Sequence, residues 1–321
     1  MFKELEKFKN QQLHNIKVTE IKINLPSGGF IAGKWWGDLD TKPILCLHGW
    51  QDNAGTFDRL IPLLPKDFSY LAIDFLGHGR SCWLPDGVVY NVFDNIFAVL
   101  YVMKEYKWDK ISLLGHSMGA MVSFLFASIF PEKMDLLIKI DSFKNLDRTY
   151  EQELSDVKDG ILNFMVIDER IRSSSEPPSY TVEEMIERVN TGSFFNITTE
   201  SAPYLLDRNI TRSSKYPDKF YFSRDPRLKN IILMTHPEST AIESAKRINI
   251  PFLFFTTKQS SPLYAKFKYF DNLIKTFQQN PKFKLEVIDS DSHYFHLNDP
   301  EMISNAIGRF LIENRKVIHH L

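Results

Sequence analysis

Apolar positions along the chain change their period several times, and each change predicts an element. In "VTEIKINLPSGGFIAGKWWG", residues 18–37, apolar and polar residues alternate on both sides of Pro26-Ser27-Gly28-Gly29. A period of two broken by turn residues predicts a β-hairpin. From residue 43 the alternation gives way to continuous apolar runs: "PILCLH" (43–48), "YLAIDF" (70–75), "KISLLG" (110–115) and "MDLLIKID" (134–141). Such runs suit strands covered on both faces of a parallel sheet. Between them "TFDRLIPLL" (56–64), "VFDNIFAVLYVMKEY" (92–106) and "MGAMVSFLFASIF" (118–130) carry helical spacing, the last stopped by Pro131. Amphipathic spacing over 2–13 predicts a short leading helix.

That rhythm breaks after Asp141. Residues 143–248 read as mostly helical and polar, with breakers such as "SSSEPPS" and "KYPDKF". Strand and helix then resume with "IPFLFFTT" (250–257), a helix over 263–279, "FKLEVID" (283–289) and a last helix over 299–313. The expected fold class is therefore α/β, a mostly parallel sheet with helices on both faces. Residues 1–142 and 249–321 would form its core, and 143–248 a helical cap inserted into it.

Composition narrows the function. With 43% hydrophobic and 25% charged residues, 321 residues can bury a core unaided by disulfides or metal. A formal net charge of −1 offers no basic field, so nucleic acid is not an expected partner. Aromatics at 13%, including 26 Phe, are compatible with an apolar ligand pocket. Cys46 and Cys82 form no disulfide framework, and no Cys/His spacing suggests zinc. No metal or cofactor is expected. The charged N-terminal stretch has no apolar h-region, and no run of 18 apolar residues occurs, so neither a signal peptide nor a membrane span is expected. The sequons at Asn196 and Asn209 are read as chance matches. A cytoplasmic location is expected, and the sequence says nothing of oligomeric state.

Gly115-His116-Ser117-Met118-Gly119 sits where "ISLL" meets an apolar helix, matching the G-x-S-x-G nucleophile elbow. Flanking glycines let strand and helix close up, lifting the serine hydroxyl clear of the sheet toward a helix N-terminus that favours negative charge. The plainer alternative is a helix N-cap serine. A serine nucleophile needs a base. In this constellation the order is Ser, acid, His, which directs attention to His293 in "DSDSHYFHLNDP" after the last strand. His296 is its rival, read as packed or capping. His48 and His78, at strand ends, are read as histidines tying loop backbone, and His116 as a locally packed residue that also borders the substrate pocket. His14, His236, His319 and His320 are read as surface residues.

The acid is harder to place. The loop "TTKQSSPLYAKFKYF" (256–270) contains no Asp or Glu, and Asp271 falls within a predicted helix. Asp141, directly after an apolar strand, is assigned as the acid, with Asp289, Asp291 or no acid at all as alternatives. For the oxyanion, the backbone amides of Met118 and of Trp50 in the "HGW" turn are the expected donors, with Gln51 nearby as a substrate-pocket residue.

With the elbow, the His-Gly turn and "DFLGHGRS" in chain order, the sequence resembles the α/β-hydrolases. More narrowly, "ILCLHGWQDNAGTFDRLIPLLPKDFSYLAIDFLGHGRS" is similar to the serine hydrolase-like (kraken-type) branch, as is the segment "FSRDPRLK". The resemblance spans residues 15–313, densest over 43–142. It implies the α/β-hydrolase fold, Ser117 as nucleophile and His293 as base. Two departures stand out: the acid usual after the penultimate strand is missing, and "DSDS" replaces the usual glycine before the histidine. Some members of the branch are linked to peroxisomes, but the terminal "HHL" shares only Leu321 with the usual peroxisomal tripeptide. The expected function is hydrolysis of a carboxylic ester, thioester or amide of a moderately apolar small molecule. The alternative is a catalytically weak receptor or scaffold on the same fold. With serine at the elbow, the aspartate-nucleophile chemistries of the fold are disfavoured.

Overall fold

The computed structural model describes Leu5 and residues 16–141, 150–173, 176–192, 196–229, 237–257 and 270–317. Ten strands occur among them: β1 (Val18–Asn24), β2 (Phe30–Trp36), β3 (Ile44–Leu47), β4 (Tyr70–Ile73), β5 (Ile111–His116), β6 (Met134–Ile140), β7 (Ile210–Arg212), β8 (Phe220–Phe222), β9 (Phe252–Thr257) and β10 (Phe283–Ile288). Eight make one sheet in the order β1-β2-β4-β3-β5-β6-β9-β10, and β7 pairs with β8 apart from it. The hairpin β1–β2 and the β2–β4 pair are antiparallel. Every other neighbouring pair of that sheet is parallel. This is the α/β-hydrolase fold.

Sequence pattern maps onto burial. β3, β4 and β5 are buried at every position, because helices cover both faces and no position points to water. β10 alternates partly buried and exposed residues, as an outermost strand does, and its Lys284 and Glu286 keep that edge from pairing with another chain. On one face α1 (Val92–Glu105) and α2 (Met118–Ile129) share a core with Leu45, Leu113, Leu137 and Phe252. Asn91 and Asp94 close the start of α1 with a capping box.

Between β6 and β9 run α3 (Tyr150–Arg172), α4 (Val182–Gly192), α5 (Ala202–Leu206), the β7–β8 pair and α6 (Glu238–Lys246). α4, α5 and β7–β8 enclose their own small core with Leu5, which also takes in Tyr294 and Leu297 from the main sheet's loop. α6 and α7 (Phe270–Phe277) complete the first face. α8 (Phe295–Asn298) and α9 (Glu301–Asn314) cover the other, packing on Cys46, Leu136 and Phe255.

Several expectations are corrected. "TFDRLIPLL" is not a helix but two 3₁₀ turns, Ala54–Phe57 and Ile61–Leu63. Pro62 has no N–H to continue a ladder, and the Asn53 side chain caps the first turn so tightly that it accepts from the Gly55 amide. The last helix runs Glu301–Asn314, close to the expected 299–313, and a short α8 not expected from the sequence precedes it. A β-pair stands in the segment expected to be mostly helical. The leading helix, apart from Leu5, and residues 263–269 of the helix expected over 263–279 lie outside the described residues. Cys46 and Cys82 are both free. Asn209 is buried, consistent with its sequon being a chance match. Among the described residues no helix is long and apolar enough to cross a membrane.

Candidate active site

Ser117 links β5 directly to α2 with φ 53° and ψ −116°. A side-chain-bearing residue rarely adopts this backbone, which holds local strain of about 1–3 kcal/mol. Close packing imposes it. A Cβ on Gly119 would collide with the Leu47 carbonyl and one on Gly115 with the Gly119 backbone. Gly49 is tight but less so: a Cβ there would lie 3.3 Å from that of Ser117. The Ser117 amide donates to the Ile140 carbonyl at 3.0 Å, which sets the elbow beside the end of β6.

The next residue of that strand end is Asp141, also in the left-handed region at φ 37° and held by its own amide on the Phe255 carbonyl at 2.9 Å. Its Oδ2 accepts from His293 Nδ1 at 2.7 Å. The contact joins residues 152 positions apart. Asp289 and Asp291 are exposed. The His293 ring lies 4.7 Å from that of His116, the chain neighbour of Ser117, tilted by 46°. The structure thus pairs Asp141 with His293 and sets Ser117 at the adjoining end of β6.

His116 is fully buried and lies beneath this group rather than lining an open pocket. Its Nε2–H donates to the His293 carbonyl at 3.1 Å, and its ring lies 3.9 Å from that of His296. Burial, with neighbouring imidazoles, holds both His116 and His296 well below the ordinary histidine range, so they are neutral. His296 Nε2 meets the Thr56 hydroxyl at 2.9 Å, a packed role. Fixing the His116 tautomer leaves its Nδ1 bare, and 3.8 Å away stands the equally unpartnered Oδ2 of Asp52. Burial pushes the Asp52 carboxyl up to about 6.

The turn after β3 is tied down by histidines. His48 donates from Nδ1 to the Gly49 carbonyl at 2.6 Å and accepts at Nε2 from the Phe75 amide at 2.9 Å. His78 donates from Nδ1 to Leu76 O at 3.0 Å and accepts at Nε2 from the Gln51 amide at 3.2 Å. Burial beside His48 drives His78 down to about 3, so both rings stay neutral. Gln51, with φ 57°, turns the chain sharply and reaches the Leu228 carbonyl at 3.4 Å with its side chain. The amides of Trp50 and Met118 have no hydrogen-bond acceptor among the described residues.

Comparison with known proteins gives this geometry a family. The family model for the alpha/beta hydrolase fold matches residues 42–166. The chain is 33% identical over 303 residues to a Drosophila melanogaster protein named "Probable serine hydrolase", covering 92% of this chain and 88% of that one. It is 32% identical over 307 residues to the human serine hydrolase-like protein 2, covering 92% and 94%. The chain belongs to the α/β-hydrolase superfamily, in its serine hydrolase-like branch. A crystal structure of a hypothetical protein from Pseudomonas aeruginosa PAO1 superposes with a TM-score of 0.76 at 27% identity, covering 92% of this chain and 98% of that one. Membership of this branch supports hydrolase activity.

Two features of this α/β-hydrolase were not singled out from the sequence. Asp52 stands two residues after Trp50, and only its approach to His116 marks it. Asp74, at the end of β4, anchors two loops through the Ala54 amide at 2.8 Å and the Arg80 amide at 2.9 Å. Its place directly after a buried apolar run was the available signal, the same one that pointed to Asp141.

Proposed function

We propose that the protein is a serine hydrolase cleaving a carboxylic ester, or a related thioester or amide, through an acyl-serine intermediate. The Asp141–His293 hydrogen bond beside the strained elbow carries this reading. Ser117 attacks the carbonyl carbon, and His293 takes its proton and returns it to the leaving group. Asp141 holds the imidazole with Nδ1 protonated and offsets the charge it gains. Carbonyl π electrons move onto oxygen, where the amides of Trp50 and Met118 bind the oxyanion. Water then repeats the sequence in reverse and releases the acid. Gln51 supports the turn beside the pocket, and the buried His116 supports the base through the His293 carbonyl. The segment 143–248 acts as a lid over this site and excludes water, with residues 1–142 and 249–321 as its core. A moderately apolar small molecule fits the aromatic content, and a cytoplasmic location fits the free thiols.

A fluorophosphonate probe followed by peptide mapping tests this directly. Ser117 is expected to carry the label, and Ser117→Ala to lose it together with 4-nitrophenyl ester turnover, by about 10,000-fold. Labelling elsewhere, or turnover that survives Ser117→Ala, would refute the mechanism. Tight ligand binding with no turnover would favour a receptor on the same fold.

A further inference from the structure

Behind the base loop lies a closed layer of side chains in which one carboxylate oxygen has no donor. The side chains of Asp52 and His116 are both fully buried. Asp52 Oδ1 accepts from the Asn53 amide at 2.8 Å, and the Asp52 amide donates to the Gly49 carbonyl at 3.3 Å. The other oxygen, Oδ2, stands 3.8 Å from His116 Nδ1. Neither of these two atoms has a hydrogen-bond partner among the described residues.

His116 has little freedom to answer. Its Nε2 faces the His293 carbonyl at 3.1 Å, and a carbonyl offers only lone pairs. The single proton of the neutral ring therefore sits on Nε2, and Nδ1 is an acceptor. Gly49 closes another approach to that nitrogen, since a Cβ there would lie 3.1 Å from it. The remaining titratable groups around Asp52 come from each neighbouring element. His48 after β3 is spent on Gly49 and Phe75, and beyond it Asp74 is paired with Arg208. From the α8 side come the phenol of Tyr294 and, through the Thr56 hydroxyl, His296. The Asp141–His293 pair lies past His116. No lysine or arginine pairs with Asp52 among the described residues.

We propose that Asp52 is a positioning residue for the base: as the acid it donates its O–H to His116 Nδ1, fixing the tautomer whose Nε2–H holds the His293 carbonyl. The proposal deepens the hydrolase reading and takes its reaction from it. The gap is about 1 Å longer than such a bond, which a small side-chain rotation closes. Burial favours the acid by raising the carboxyl to about 6, and a bond that only the acid can donate raises it further. Once that proton leaves for solvent, the carboxylate favours His116 with its hydrogen on Nδ1. Nε2 then turns a lone pair toward the His293 carbonyl, and the base loop loses its anchor.

Two readouts separate the anchor from the reaction it serves. The first needs no substrate. In protein labelled with nitrogen-15 histidine, and with His116 assigned through His116→Gln, long-range proton–nitrogen spectra show which ring nitrogen carries hydrogen. Wild-type His116 is expected to hold it on Nε2 at pH 5.5 and to move it toward Nδ1 as pH rises to 9. In Asp52→Asn the amide donates at every pH, so the hydrogen should stay on Nε2. The second readout is kcat for a 4-nitrophenyl ester. At pH 6 Asp52→Leu should lose about fivefold with KM unchanged, and Asp52→Asn should restore it. At pH 9 Asp52→Asn should exceed the wild type by about fivefold. A carboxylate acting only through its charge on His293 would make wild type and Asp52→Asn differ at the acid end and converge above it, which would overturn the positioning role. A tautomer indifferent to Asp52, as a water-bridged pair would give, would overturn it too, and Ser117 labelling with ester turnover would leave the hydrolase standing. A tautomer that follows Asp52 in a protein turning over no ester would uphold the coupling and remove the reaction. Should Asp52→Leu not fold, wild type against Asp52→Asn decides both readouts.

Discussion

At the scale of single residues, the site depends on which oxygen stands behind one imidazole nitrogen. Asp141 reaches that place because its backbone turns into the left-handed region at φ 37°, a conformation that asparagine also tolerates. Asp141→Asn therefore keeps the turn and removes only the negative charge. Ester turnover is expected to fall about 1,000- to 10,000-fold with the melting temperature almost unchanged. If Asp289→Asn or Asp291→Asn produced that loss instead, the acid would be misassigned. Much of this site was legible in the sequence. The glycines around Ser117 announce a tight strand-to-helix turn, chain order directs the base to His293, and a loop without acids leaves the end of the preceding strand as the supplier. What was not legible is the layer behind them. Asp52 and His116 acquire meaning only from their approach at 3.8 Å, and Tyr294 from packing its ring on that of His116.

At the scale of elements, β6 carries an anomaly beside its useful aspartate. Lys139, two residues before Asp141, is buried, with its ammonium 5.1 Å and 4.8 Å from the ring centres of Phe124 and Phe254. Desolvation pulls it down to about 7 from 10.5, so the two rings recover only part of what water gave. The unfolded chain then binds more protons than the folded one between about pH 7 and 10.5, and stability must rise with pH across that window. Lys139→Met is expected to add about 1–3 kcal/mol at neutral pH and to flatten that rise, read from urea unfolding at pH 7, 8.5 and 10. A variant no more stable than its parent, with the same slope, would show that Lys139 finds its counter-charge elsewhere. The strands themselves were readable from their uninterrupted apolar runs. The 3₁₀ turns were not, since "TFDRLIPLL" has helical spacing and only its proline argues otherwise.

At the scale of the whole molecule, the proposed lid meets the sheet domain through buried charge as well as apolar surface. Arg208, after α5, inserts between Asp74 at the end of β4 and Glu20 of β1, joining segments 134 and 188 positions apart in the chain. Burial alone would raise the Asp74 carboxyl, but the guanidinium outweighs it and holds the group below the usual carboxylate range. A carboxylate so depressed contributes stability above its unfolded value of 3.8 and loses it as pH falls below that value. Arg208→Leu strands Asp74 without its cation, and a buried charge left unpaired costs about 3 kcal/mol. Lysine at this position supplies one point charge where a fork served two carboxylates, so Arg208→Lys should fall between. Thermal unfolding at neutral pH is therefore expected to rank wild type above Arg208→Lys above Arg208→Leu. The gap should narrow as pH drops through the ordinary aspartate range, because protonated Asp74 no longer needs a partner. Limited proteolysis gives a second reading: cleavage between residues 150 and 229 should speed up in Arg208→Leu while β3–β6 stay intact. Equal melting temperatures for wild type and Arg208→Leu at neutral pH would mean that apolar packing alone, through Tyr294 and Leu297, fastens the lid segment to the sheet.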